Sequence, residues 1–138
     1  MKFLVDTCIW SLGLRRRDVS LLNSEEKRML SELTSAIEVS QAAIIGPVRQ
    51  EILSGIRDRA QFEKTQGLLD PFLDEPLTSS DFVEAARLFN LCRDHGVVCG
   101  QVDILICAVA ARLNWAILTN DSGLGRCIEV LRGERVLL

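Results

Sequence analysis

The chain has 138 residues, 48% of them hydrophobic and 25% charged, with a formal net charge of −3. Those values describe one soluble globular domain large enough to bury a core, and they exclude a chain drawn to nucleic acid or membrane by bulk charge. No apolar run reaches the roughly 18 residues that a bilayer-spanning helix needs, and MKFLVDTCIW meets a charge at Asp6, unlike a secretory leader, so a cytoplasmic protein is expected. The five cysteines (8, 92, 99, 107 and 127) are odd in number and form no C-x-x-C pair. Neither a disulfide framework nor a zinc site is expected from them, and Cys107 reads as a small core residue. The basic residues are 13 Arg to 3 Lys, a bias toward the better bidentate partner for phosphate.

In chain order, Lys2–Val5 is a short apolar strand with Asp6 at its carboxyl end. Asp6 and Thr7 can cap a short helix that begins near Ile9. Arg15, Arg16, Arg17 and Asp18 form a polar loop. Ser24 followed by Glu25 and Glu26 starts a helix to about Glu38, with Met29, Leu30, Leu33 and Ile37 on one face. Ser40–Ile45 reads as the second strand. Gly46-Pro47 breaks it and opens a helix lined by Val48, Ile52 and Ile56, with Glu51 bordering that apolar side. Arg59–Leu69 is a further helix, followed by a turn at Asp70-Pro71. Ser79, Ser80 and Asp81 cap a helix to about His95, with Phe82, Ala85, Ala86, Phe89 and Cys92 inward, and Gly96 ends it.

Gln101–Leu113 is apolar almost all round, as a helix buried on most sides should be. Asp103 stands in its first turn. Asn114 ends it, Ala116–Leu118 is a strand, and Asp121 follows in the turn Thr119-Asn120-Asp121-Ser122-Gly123. The tail is expected to turn at Arg132-Gly133 and to end in a strand, Val136–Leu138. Short apolar strands alternating with helices predict a largely parallel sheet covered on both faces.

Four acids occupy comparable places. Asp6 and Asp121 follow strands, while Glu51 and Asp103 lie near helix starts. Ligands of open α/β sheets sit outside the carboxyl ends of the strands, so right-handed connections would bring the four together. Each acid alone has an ordinary explanation as a cap, a first-turn acid or a solvated helix residue. Four at one sheet edge do not. Clustered carboxylates raise one another's pKa, and a hard divalent cation, Mg²⁺ or Mn²⁺, relieves that with oxygen ligands alone. Metal-assisted phosphodiester hydrolysis is the chemistry this donor set suits best.

MKFLVDTCIW with Asp6, RQEILSGI with Glu51, GQVDILICAVA with Asp103 and ILTND with Asp121 together resemble the PIN domain family, closest to the VapC-type toxin ribonucleases of toxin–antitoxin pairs. The resemblance implies a three-layer α/β/α sandwich around a mainly parallel sheet, and Mg²⁺- or Mn²⁺-dependent endoribonuclease activity on transfer or messenger RNA. Its acidic quartet falls on Asp6, Glu51, Asp103 and Asp121, with Thr119 and Asn120 in support. It also implies a homodimer and a small antitoxin partner. Many relatives carry T-x-D-x-D-F where this chain has Gly123 and Leu124, so one firmly held metal is expected rather than two.

Arg15, Arg16, Arg17 and Trp10 follow the first acid and are candidate RNA contacts, whereas Trp115 reads as core. His95, at a helix end, is expected to meet carbonyls rather than metal. Two alternatives remain. A haloacid-type phosphatase would need an acid two residues after Asp6, where Cys8 stands. A non-catalytic PIN-like module binding RNA or a partner differs only in lacking metal chemistry.

Overall fold

The computed structural model describes residues 1–15 and 19–138. The element order is β1 (Phe3–Val5), α1 (Thr7–Leu14), a 3₁₀ turn at Val19–Leu21, α2 (Ser24–Glu38), β2 (Ala42–Ala43), α3 (Gly46–Ser54), α4 (Arg59–Leu69), α5 (Ser79–Asp94), α6 (Gln101–Leu113), β3 (Ala116–Leu118) and α7 (Ser122–Gly133). The strands form a parallel sheet in the order β2-β1-β3, flanked by helices. One helical group packs α1 against α2 and α3, and α3 against α4. The other packs α5, α6 and α7 together. Leu4, Val5, Ile44, Ile45 and Leu118 bury the strands, and Ile104, Ile106, Cys107, Val109 and Ala110 bury nearly every side of α6. That burial is why a single short strand can sit centrally, since both faces of β1 are covered. Among the described residues no helix is long and apolar enough to cross a membrane.

Caps set the helix starts one residue earlier than serine placement predicts. Asn23, not Ser24, caps α2 in a reciprocal box with Glu26. Thr78 caps α5 with Asp81. Asp81 is itself buried and bidentate to Arg112, with Nε–Oδ1 2.7 Å and Nη2–Oδ2 3.1 Å. Burial pushes its carboxyl up, but the Arg112 and Thr78 hydrogen bonds outweigh that and hold it below the usual range. This pair staples α5 to α6, the helix that carries Asp103.

Several expectations are corrected. The expected final strand Val136–Leu138 is absent. Residues 122–133 are helical instead, because Asp121 caps them and Leu124, Cys127, Ile128 and Leu131 make an inward stripe. Ile37, Phe82 and Ala86 face solvent, whereas Ala36 and Leu88 are inward. Trp10 is not a surface contact. It is 2% exposed and packs edge-on against Phe72, with centroids 4.9 Å apart, since one turn of α1 carries it from the site edge into the core. Cys99 and Cys127 are joined in a disulfide with Cys92 close by. Cysteine spacing along the chain gives no sign of this, because the pairing arises where the loop before α6 lies on α7. Trp115 is half-buried with the Lys2 ammonium 5.3 Å above its ring.

Candidate active site

The order β2-β1-β3 makes the chain reverse direction across the sheet between β1 and β3, the place where open α/β sheets receive ligands. Asp6 leaves β1 there and Asp121 follows β3. Asp6 is N-cap of α1 and 4% exposed. Its Oδ1 accepts from the Thr7 amide at 2.7 Å, and its Oδ2 accepts from the Thr119 hydroxyl at 2.8 Å and from the Cys8 thiol at 3.4 Å. The Thr119 oxygen in turn accepts the Asp121 amide at 3.0 Å. One hydroxyl therefore couples the loop after β3 to the carboxylate after β1. Asp121 is exposed and caps α7, accepting the Leu124 amide at 2.8 Å.

Asp103 lies in the first turn of α6, half-buried. Its carboxyl is pushed up from 3.8 to about 6, first by burial and then by the negative charges of Asp6, Asp121 and Glu51. All three other acids are thus close enough to act on Asp103 electrostatically. Glu51 is exposed on the second turn of α3. Arg49 on that helix donates to Asp74 Oδ1 at 2.9 Å and to the Leu69 carbonyl at 3.1 Å, anchoring α3 to the chain after α4. Glu51 shares a cavity of about 620 Å³ with Thr7, Ser11, Arg15 and Arg57. Arg16 and Arg17 lie outside the described residues.

Oxygen donors dominate the site, as a hard cation requires. Among the described residues no three of the acids bring an oxygen each to within 4.8 Å of one another. An ion bonded at about 2.0–2.1 Å needs a tighter set than that for direct ligation, so the fit is to a hydrated ion held by few carboxylates and its own waters.

Three participants escape a reading of acids alone. Cys8 stays a thiol, its pKa raised chiefly by burial, and donates to Asp6. Gly100 and Gly123 are the others. A Cβ at Gly100 would stand 3.2 Å from Asp103 Oδ2, and one at Gly123 would stand 3.1 Å from Asp121 Oδ2. A glycine three residues before one acid and two after the other was the available signal. A side chain at 123 would require the Asp121 carboxylate to give by a few tenths of an ångström.

His95 does not approach this site. Its Nδ1 meets the Leu91 carbonyl at 3.0 Å and its Nε2 meets Glu134 at 2.8 Å.

The PIN domain family model matches residues 3–128 of the chain. The chain belongs to the PIN domain family. No curated protein matches it. PIN domains generally have a nuclease-type fold, and the matched span contains all four acids, Thr119 and both crowding glycines.

Proposed function

We propose that this PIN domain is a Mg²⁺- or Mn²⁺-dependent endoribonuclease, the toxin of a toxin–antitoxin pair. The observation that carries the catalytic reading is Asp103, whose carboxyl is raised first by burial and then by the charges of three other acids. A protein that only needed stability would not hold four carboxylates in mutual repulsion. Asp6, Asp103 and Asp121 would hold the ion with Glu51 at the cavity side. An ion there would supply charge neutralisation at a phosphodiester oxygen and activation of water for attack.

The chain's own groups set the geometry. Thr119 and Cys8 spend their hydrogens on Asp6 and so fix the orientation of its carboxylate. Asp103 carries a proton below about pH 6, so ion binding must displace it there. Glu51 lines the cavity, whereas Asp6, Asp103 and Asp121 do not, and it would take a proton from the attacking water. Arg15 and Arg57 line the same cavity and supply positive charge to an RNA backbone.

Cleavage of RNA with Mg²⁺ or Mn²⁺, wild type against Asp103→Asn, tests the enzyme reading. Equal rates would overturn it. Growth arrest on expression, relieved by a small co-expressed partner that forms a complex with the chain, tests the toxin role. The family resemblance also supports a homodimer, which sedimentation of the isolated chain would check.

A further inference from the structure

Cys92, Cys99 and Cys127 place their sulfur atoms within 4.8 Å of one another, and all three side chains are buried. They belong to three different segments. Cys92 is near the end of α5, Cys99 sits in the loop entering α6, and Cys127 is on α7. Cys99 immediately precedes Gly100, the N-cap of α6, whose backbone lies against Asp103. Cys127 is on the helix that Asp121 caps. The Cys99–Cys127 bond therefore ties together the two elements that present Asp103 and Asp121.

Two chemistries compete for three neighbouring sulfurs. A soft ion held by three thiolates would leave net negative charge in an apolar pocket, and none of the ion pairs among the described residues brings a cation to these sulfurs. A disulfide beside one thiol is neutral. Cys92 is kept as a thiol, its pKa raised by burial, and it donates to the Cys127 carbonyl at 4.0 Å.

We propose that Cys99 and Cys127 are an oxidative modification site that sets how firmly the acidic cleft holds its divalent ion. Forming the bond removes two protons and two electrons from the two thiols. A low-molecular-weight disulfide accepts the electrons and becomes two thiols. Oxidised, the bond holds the loop 97–100 on α7 and keeps Asp103 in register with Asp121. Reduced, the loop keeps its packing, the Val97 amide on the Cys92 carbonyl at 2.9 Å and the Ile104 amide on the Gly100 carbonyl at 3.0 Å, but loses its covalent tie to α7, and the cleft grips the ion less firmly. The effect on the ion rests on the metal-dependent reading above.

The test compares oxidised and phosphine-reduced full-length protein. Thiol titration after denaturation should find Cys8, Cys92 and Cys107 free in the oxidised form and all five cysteines free in the reduced form. Melting temperature should fall by on the order of 10 °C on reduction. Calorimetric titration with Mn²⁺ should show an affinity on the order of tenfold lower after reduction. Cys127→Ser should match the reduced protein in both states, while Cys92→Ser should keep the full redox response. Five free thiols under mild oxidant would overturn the proposal, as would a zinc equivalent lost with Cys92→Ser. Equal Mn²⁺ affinity in both states would overturn the link to the cleft. Absence of Mn²⁺ binding in either state would instead overturn the metal reading, with the thiol count still deciding the disulfide.

Discussion

The corners after β1 and β3 use the same local device and produce different carboxylates. In each, an aspartate follows a short strand and caps the next helix, Asp6 for α1 and Asp121 for α7. Asp6 is almost fully buried and accepts from an amide, a hydroxyl and a thiol. Asp121 is exposed and its side chain accepts from one amide. The difference lies in the neighbours. β1 is the central strand, so its end is enclosed by the loop after β3 and by the first turn of α1, whereas the end of β3 lies at the sheet edge. Identical capping chemistry thus yields one rigid, desolvated acid and one adaptable acid. Thr119 joins them.

Breaking this pairing at its rigid member should have the largest effect. Asp6→Asn keeps the oxygen that accepts the Thr7 amide but turns an NH₂ group toward the Thr119 hydroxyl and the Cys8 thiol in place of their acceptor. It should reduce Mn²⁺-dependent RNA cleavage by at least about a thousandfold, and Asp121→Asn by less. An equal loss in the two variants would show that burial does not distinguish their roles.

Removing the coupling should come next. Thr119→Val deletes the hydroxyl that connects Asp6 to the Asp121 amide, and metal affinity should fall about 10–100-fold, as for other supporting groups at metal sites. Asn120→Ala should cost much less. A Thr119→Val protein with unaltered Mn²⁺ affinity would reduce the hydroxyl to a turn-stabilising role.

Stability should separate the corners as well. Asp6→Ala loses an N-cap and strands the Thr119 and Cys8 donors, for a cost of about 2–4 kcal/mol. Asp121→Ala loses a solvated cap, for about 1 kcal/mol. Relief of acid–acid repulsion offsets part of each. Urea unfolding without metal measures both, and a reversed order would contradict the burial argument.

The smallest effect concerns Asp103. Its folded-state pKa of about 6 lies above the unfolded value of 3.8, so the native protein holds the extra proton between them. Its contribution to stability therefore falls as pH rises through that window and is level above it. Asp103→Asn should melt a few degrees higher than wild type near neutral pH without metal, and no higher below pH 3.8. A constant offset at every pH would assign the gain to something other than ionisation.

The strands Phe3–Val5 and Ala116–Leu118, the buried helix Gln101–Leu113 and the places of all four acids were legible in the sequence. Their signals are local: apolar runs of the right length, and acids at the strand-to-helix and loop-to-helix boundaries. The helix over 122–133 was not, because Gly123, Gly125 and Gly133 weaken its propensity, and its packing against α5 and α6 adds to the Asp121 cap to sustain it. Nor was the burial of Trp10 legible, since a residue in the first turn of α1 can face either way until Phe72, just after α4, packs against it.

The sequence by itself determined which residues are acidic, where the strands and most helices fall, and hence that the acids lie at one edge of a parallel sheet. Tertiary structure alone decided which acid is desolvated, that Thr119 and Cys8 serve Asp6, that Gly100 and Gly123 make room for carboxylates, and that Cys99 meets Cys127. The physical reason is range. Caps and periodicity act within a few residues, whereas desolvation, charge repulsion and sulfur proximity depend on segments brought together only by the packed core.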